Sequence, residues 1–280
     1  MTRSRSYWDG VRTGGGVPSD RPLSDLTVEL TRMLGDADPE VREATGVATL
    51  LSWLRQGVYD DLLGALGDGM AAGLTLGPDV APTALSELAA EGATAAVTEA
   101  APVLRRAASA RVLVACLERA ESHALLPDAT VLRWADQLLT WFVTDPDRRS
   151  LEAGAAAVAQ IAASPHLGGA EELVLLDVVA DRVLAAERIC LADLDALVGA
   201  ALAVLRRDQL GVEDLEPWVV RLGRAALADT GRERCAEGFL RALYTHAALA
   251  RTAMAARADL VLLLVDVLRE IRPTLSAPPA

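Results

Sequence analysis

The sequence lacks lysine and asparagine entirely, and it is poor in aromatic residues. All 27 basic residues are therefore arginine, a bias that is typical of GC-rich coding and predicts a bacterial source. Hydrophobic residues make up 52% of the 280 positions but aromatic residues only 4%, so the interior must be filled mainly by leucine, valine and alanine. That composition favours helices.

Positive charge is scarce relative to negative charge. The net charge is −12 and the isoelectric point lies near 4.8, so the surface repels phosphate and disfavours general binding to nucleic acid or to anionic membranes. The first 21 residues have no apolar stretch of the kind found in a secretory signal. The charge-free stretch 153–170 contains Pro165 and His166 and cannot span a bilayer. We expect a cytoplasmic protein with no membrane association.

Cysteine and histidine are too few and too scattered for the common metal sites. The six residues are Cys116, Cys190, Cys235, His123, His166 and His246. No two cysteines form a CxxC pair, and no two histidines stand four residues apart, the spacing that lets two imidazoles hold one metal ion. We expect buried thiols, no metal and no cofactor. His166 follows Pro165 in a turn, where capping or exposure explains it better than catalysis.

Apolar residues recur at steps of three and four from Pro22 onward, as in Leu23, Leu26 and Leu30, which predicts amphipathic helices. No window shows the alternation of a strand. Three prolines, Pro78, Pro82 and Pro102, predict short helices and loops over 77–102. The remaining helices are predicted at 23–34, 41–54, 59–74, 103–122, 129–142, 150–163, 171–186, 191–206, 213–228, 232–249 and 255–271.

Many short helices joined by brief turns predict antiparallel pairs, each of which exposes an apolar stripe that the next pair covers. The predicted fold is an all-α solenoid of stacked antiparallel helix pairs that forms a single domain over residues 22–272. Residues 1–21 are predicted to be a flexible N-terminal tail, and residues 273–280 a C-terminal tail.

Three segments carry a resemblance to a known family. They read DPEVREATGVATLLSWLRQGVYDDLLGALGDGMAAGL at 38–74, RRAASARVLVACLER at 105–119 and SPHLGGAEELVLLDVVADRVL at 164–184. Together they resemble an uncharacterised bacterial family known only as a domain of unknown function, over roughly Tyr7 to Leu227. The resemblance implies a fold like that of HEAT or armadillo repeats, and it implies no activity.

The chain departs from the family's pattern at one motif. In that pattern a Trp-Ala-His motif, with a second histidine four residues later, precedes the SPHLG segment. This sequence has Arg149 and Ala153 at those two positions. No chemistry that depends on the histidine pair is therefore carried over to this chain.

The glycine-rich segment LLGALGDGMAAGL around Asp68 invites comparison with loops that bind phosphate. It has no preceding strand, no lysine and no Ser/Thr at the required position, so we interpret its glycines as sites of close helix packing or a kink. Trp134 and Trp141 lie seven residues apart and share a helix face. Such a pair is more often part of a core than of a ligand pocket.

The most interesting polar pair is Asp177 and Asp181, which stand four residues apart on an otherwise apolar helix. If the edge that they share faces a groove, the two carboxylates form a candidate acid/base pair or a site for a hard cation. If it faces water, they are the solvated side of that helix. Arg182 points about 100° away from Asp181.

The absence of a recognisable catalytic grouping favours a non-enzymatic helical-repeat scaffold that binds a protein or peptide. The alternative is a small-molecule or divalent-metal-dependent enzyme that uses an acidic groove around Asp177 and Asp181. A third hypothesis draws on helical-repeat DNA glycosylases, which resemble this architecture. It needs a basic stripe, and the candidate residues are Arg105, Arg106, Arg148 and Arg149.

Overall fold

The computed structural model describes residues 5–75, 95–165, 167–228, 233–250 and 254–271. Within these ranges there is no β-strand, so the predicted all-α class is confirmed. The predictions for residues 76–94, for His166 and for the C-terminal tail lie outside the described residues. The chain divides into two compact units, Met1–Trp141 and Phe142–Ala280.

The described residues form twelve α-helices, a π-helix and a short 3₁₀ turn. The elements of the first unit and of the boundary are α1 (Arg5–Gly14), α2 (Leu23–Met33), the π-helix Glu40–Val47, α3 (Ala48–Arg55), the 3₁₀ turn Asp60–Leu62, α4 (Leu63–Thr75), α5 (Ala95–His123) and α6 (Asp128–Thr144). The second unit has α7 (Ser150–Ala162), α8 (Gly169–Ala185), α9 (Leu191–Leu205), α10 (Val212–Leu227), α11 (Glu233–Leu249) and α12 (Arg257–Ile271).

The N-terminal segment contains a helix where the sequence predicts a flexible tail. In α1, Trp8 is buried, and its indole Nε1 donates a hydrogen bond of 3.0 Å to Glu29 of α2. Arg21 donates to the other oxygen of Glu29. The tail prediction rested on the polar, glycine-rich composition of the segment, and it gave too little weight to one large aromatic side chain that buries its surface by packing.

Pro102 lies inside the longest described helix, whereas the sequence predicts that it interrupts helical structure. Helix α5 begins at Ala95 and passes through Pro102 to His123. A proline inside a helix removes the hydrogen bond to the carbonyl four residues earlier, here that of Thr98. Helix α5 packs along α3 and α4, and this burial outweighs the lost hydrogen bond.

Two glycines of α4 allow other side chains to approach the helix backbone. A Cβ added at Gly67 would lie 2.1 Å from the indole of Trp134, and one added at Gly73 would lie 2.7 Å from the hydroxyl of Ser109. The interpretation of this segment as close packing is therefore confirmed. Trp134 also donates from Nε1 to Asp68, and hydrogen bonds from Trp134 and Arg133 hold the pKa of Asp68 below its usual value.

The helices of the second unit form two rows. Helices α7, α9 and α11 pack in sequence as one row, and α8, α10 and α12 as the other. Between the rows, α8 packs against α7 and α9, and α11 packs against α10 and α12. The helices of the first row begin at Ser150, Leu191 and Glu233, and those of the second row begin at Gly169, Val212 and Arg257.

Equivalent helices of the second unit therefore begin 41 and 42 residues apart in one row and 43 and 45 in the other. Contacts between neighbouring helices of a row join residues that are separated by a similar number of positions. Trp218 of α10 donates from Nε1 to the carbonyl of Leu176 in α8, 42 positions earlier. Gly169 lies beside Gln209, and Asp181 beside Arg221, so α8 and α10 run in the same direction.

Candidate functional site

Asp177 and Asp181 lie on the exposed edge of α8 and share one cationic partner. Arg221 of α10 donates one hydrogen bond of 3.1 Å to Asp177 and another to Asp181. The side chains of Asp177 and Asp181 are 58% and 44% exposed. The edge that the two residues share therefore faces solvent rather than a groove. The guanidinium of Arg221 lies between the two carboxylates, where a cation would otherwise bind.

The Arg221 bridge is expected to contribute little stability. Exposed ion pairs contribute about 0–1 kcal/mol because water and salt screen them. Arg221→Ala and the double variant Asp177→Asn, Asp181→Asn should therefore each lower the free energy of unfolding by less than about 1 kcal/mol in urea titrations, and by still less at high salt. Mg²⁺ or Mn²⁺ should not raise the melting temperature of the native chain. A rise that the double variant abolishes would restore the acidic-groove hypothesis.

A second polar contact between elements of the second unit is buried, and the sequence analysis did not predict it. Glu172 in α8 is fully buried, and Arg207, which lies in the turn after α9, donates from Nε to its Oε1 at 2.5 Å. The two terminal nitrogens of Arg207 donate to three main-chain carbonyls at the end of α7 and in the turn that follows it, those of Ala162, Ser164 and Leu167. One arginine thus neutralises a buried carboxylate and fixes a turn.

The sequence does contain a signal for this pair. Glu172 stands at the head of the buried stripe that continues as Leu176, Val179 and Val183 in α8, at steps of four, three and four residues. A carboxylate at a core position needs a cationic partner, because burying an unpaired charge is costly. Glu171, the neighbouring acid, instead accepts a hydrogen bond from the backbone amide of Gly168 at the start of the helix.

A third contact of this kind joins the start of α9 to the turn before α7. Arg148 donates from Nε to Asp193 at 2.6 Å, and the thiol of Cys190 donates to the same carboxylate oxygen at 3.0 Å. Burial opposes ionisation of Asp193, but the hydrogen bonds from Arg148 and Cys190 outweigh it and keep the pKa of that carboxyl below its usual value. Cys190 is half-buried rather than buried, because it precedes the first residue of α9.

Arg182 is the most deeply buried cation of the second unit among the described residues. It is 4% exposed, donates to the hydroxyl of Ser150, and lies over the ring of Phe142 at 5.2 Å from the centroid. Burial lowers the pKa of Arg182, and the nearby charge of Asp145 opposes this. Arg182 thus points inward while Asp181 faces solvent, as their angular separation predicts.

The remaining candidates have structural roles where the structure describes them. Trp134 and Trp141 are 0% and 4% exposed, so they belong to the core, as expected. Cys116 and Cys235 are buried, as expected. In the described ranges no three His, Cys, Asp or Glu side chains come together in a way that could hold a metal ion.

Two of the four arginines in the proposed basic stripe are already paired with acids. Arg148 donates to Asp193, and Arg149 donates to Asp147. These pairs neutralise the charge that a nucleic-acid backbone would require.

This fold and these contacts define an all-helical protein in which arginines join neighbouring helices and turns of the second unit. A family model described as "Protein of unknown function (DUF2785)" matches residues 96–249, more than half of the 280 positions, and the chain belongs to that family. The matched region contains the RRAASARVLVACLER and SPHLGGAEELV segments that carry the resemblance. Curated proteins and solved structures give no match. No helix in the described ranges is both long and apolar enough to cross a membrane.

Proposed function

We propose that this chain is a helical-repeat protein of the HEAT or armadillo type that binds a protein or peptide on the surface of its repeats. The observation that carries the proposal is the spacing of the second unit, where equivalent helices begin 41 to 45 residues apart. HEAT and armadillo repeats are about 40–47 residues long. Stacked repeats of this kind create extended surfaces that recognise partners by shape.

The exposed side of α7, α9 and α11 is the surface that we assign to the partner. Small residues recur along this row at intervals of 43 residues, at Ala156, Gly199 and Ala242. Ala156 and Gly199 are exposed and Ala242 is half-buried. Small side chains let the backbone of a bound peptide come close to the helices.

We assign to Asp177 and Asp181 a structural role within this scaffold rather than a ligand. Their partner, Arg221, lies one repeat further along the chain, as Arg207 does relative to Glu172 and Asp193 relative to Arg148. Each of these contacts links neighbouring helix pairs across 35 to 45 positions. We place the protein in the cytoplasm, and its net charge of −12 supports a protein partner over nucleic acid.

The test compares two arginine substitutions of equal charge on opposite rows. Gly199→Arg places a long side chain in the small-residue surface, and a Cβ at Gly199 meets no atom within 4 Å, so the fold should tolerate it. Val174→Arg, at a position that is 55% exposed on α8, is the control. After cross-linking in the cells that produce the protein, one defined polypeptide should be recovered with the native chain and with Val174→Arg, and it should be lost with Gly199→Arg.

Two results would contradict the proposal. One is recovery of the same polypeptide in equal yield with Gly199→Arg, because the row of small residues would then not be the binding surface. The other is recovery of no stoichiometric polypeptide with the native chain. Circular dichroism and melting curves of the three proteins should coincide, which separates loss of binding from loss of folding.

A further inference from the structure

A small cleft in the first unit lies between the end of α3 and the last turns of α5. Its volume is about 120 Å³, and its polar lining comes from Arg55 of α3 and from Glu118, Arg119, Ser122 and His123 of α5. A cleft of this volume has room for several water molecules. That is the size of a small polar molecule and well below that of a nucleotide.

One wall of the cleft is held rigidly. Arg119 donates to both oxygens of Asp60, from Nε at 2.8 Å and from a terminal nitrogen at 2.6 Å. Gly57, with φ of +77°, forms the turn around this pair, and a Cβ there would lie 2.5 Å from Arg119. The charges of Arg119 and Asp60 cancel, and two hydrogen bonds in a fork prevent Arg119 from turning away.

The same arginine also contacts His123. The other terminal nitrogen of Arg119 lies 3.0 Å from Nε2 of His123. A guanidinium can only donate, so Nε2 accepts this hydrogen bond, and Nδ1 carries the N–H of the ring. His123 therefore offers a hydrogen-bond donor at the cleft.

Two opposite charges in the cleft are unpaired among the described residues. Arg55 and Glu118 are both exposed. They line the same small volume, yet neither forms an ion pair or hydrogen bond with the other or with another described residue. Arg119 is neutralised by Asp60 and also contacts His123. Among the described side chains, Arg55 and Glu118 are therefore the cation and the carboxylate of the lining that have no partner, which is the complement of a ligand that carries both charges.

We propose that this cleft binds a small zwitterion of the amino-acid type, with its carboxylate on Arg55 and its ammonium group on Glu118. The serine hydroxyl and the imidazole Nδ1–H supply further donors for the carboxylate. A ligand with a single charge would leave either Arg55 or Glu118 unpaired and would meet one like charge. A net-neutral zwitterion satisfies both groups and fits the volume.

The probes are glycine, acetate and methylammonium, each titrated into the full chain and followed by NMR shifts of the α3 and α5 amides. Glycine should bind saturably, and acetate and methylammonium should bind at least tenfold more weakly. Arg55→Gln should weaken glycine tenfold or more. Glu118→Gln should also weaken glycine tenfold, but it should strengthen acetate, because the like charge is gone.

Arg32→Gln is the matched control, since Arg32 is exposed on α2 in the same unit and no described residue pairs with it. It should leave all three titrations unchanged. The proposal is overturned if acetate binds as tightly as glycine, if Arg55→Gln has no more effect than Arg32→Gln, or if Glu118→Gln weakens acetate as much as glycine. All of these side chains are exposed, so equal melting temperatures should accompany every variant.

Discussion

Replacement of Gly67 by alanine is expected to destabilise the protein by about 3 kcal/mol or more, because the core has no room for one methyl group. The new Cβ would lie 2.1 Å from Cη2 and 2.2 Å from Cζ2 of Trp134. Trp134 is fully buried and its Nε1 donates to Asp68 at 2.8 Å, so the indole cannot move without losing packing and a hydrogen bond.

The control lies two residues further along the same helix. A Cβ at Gly69 meets no atom within 4 Å, and the residue is exposed. Alanine is a better helix former than glycine, so Gly69→Ala should stabilise the protein by about 0.5–1 kcal/mol. Urea titrations of the two variants should therefore shift in opposite directions. Equal shifts, or a neutral Gly67→Ala, would mean that Trp134 does not lie over the backbone of α4.

Helix positions could be predicted from the sequence to a large extent, because apolar periodicity records which face each helix buries. Leu26 and Leu30 of the predicted stripe lie on the buried face of α2, and Gly67 and Gly73 of α4 are points of close approach. The errors in the described residues came from single residues whose packing outweighed local composition. Trp8 anchors a segment whose composition predicts a flexible tail, and Pro102 lies inside a packed helix.

The polar contacts between helices could not be predicted to the same extent. Their partners lie 35 to 45 positions apart, and one sequence gives no measure of which arginine reaches which acid. Asp177 and Asp181 form a conspicuous pair in the sequence because they stand four residues apart among apolar residues, yet their partner Arg221 lies on another helix. Glu172 is less conspicuous, although its place in a buried stripe is the stronger indication of a necessary partner.

Arg207→Ala is expected to be among the most destabilising single changes in the second unit, at about 3–5 kcal/mol. It removes the only described cation that pairs with Glu172, and that carboxylate is fully buried. It also removes the donors to the carbonyls of Ala162, Ser164 and Leu167. A buried charge that loses its partner keeps the full cost of its lost hydration, since water cannot replace the guanidinium.

The decisive measurement is a comparison of three variants by urea unfolding. Glu172→Gln in the Arg207→Ala background removes the stranded charge, so the double variant should be more stable than Arg207→Ala alone, although the turn carbonyls remain without their donor. Arg221→Ala breaks an exposed contact of the same kind, between an arginine and a carboxylate. It should lower the free energy of unfolding by less than about 1 kcal/mol. If Arg207→Ala and Arg221→Ala cost the same, or if Glu172→Gln brings no recovery, then burial does not decide the strength of these contacts, and Glu172 must reach water in the native protein.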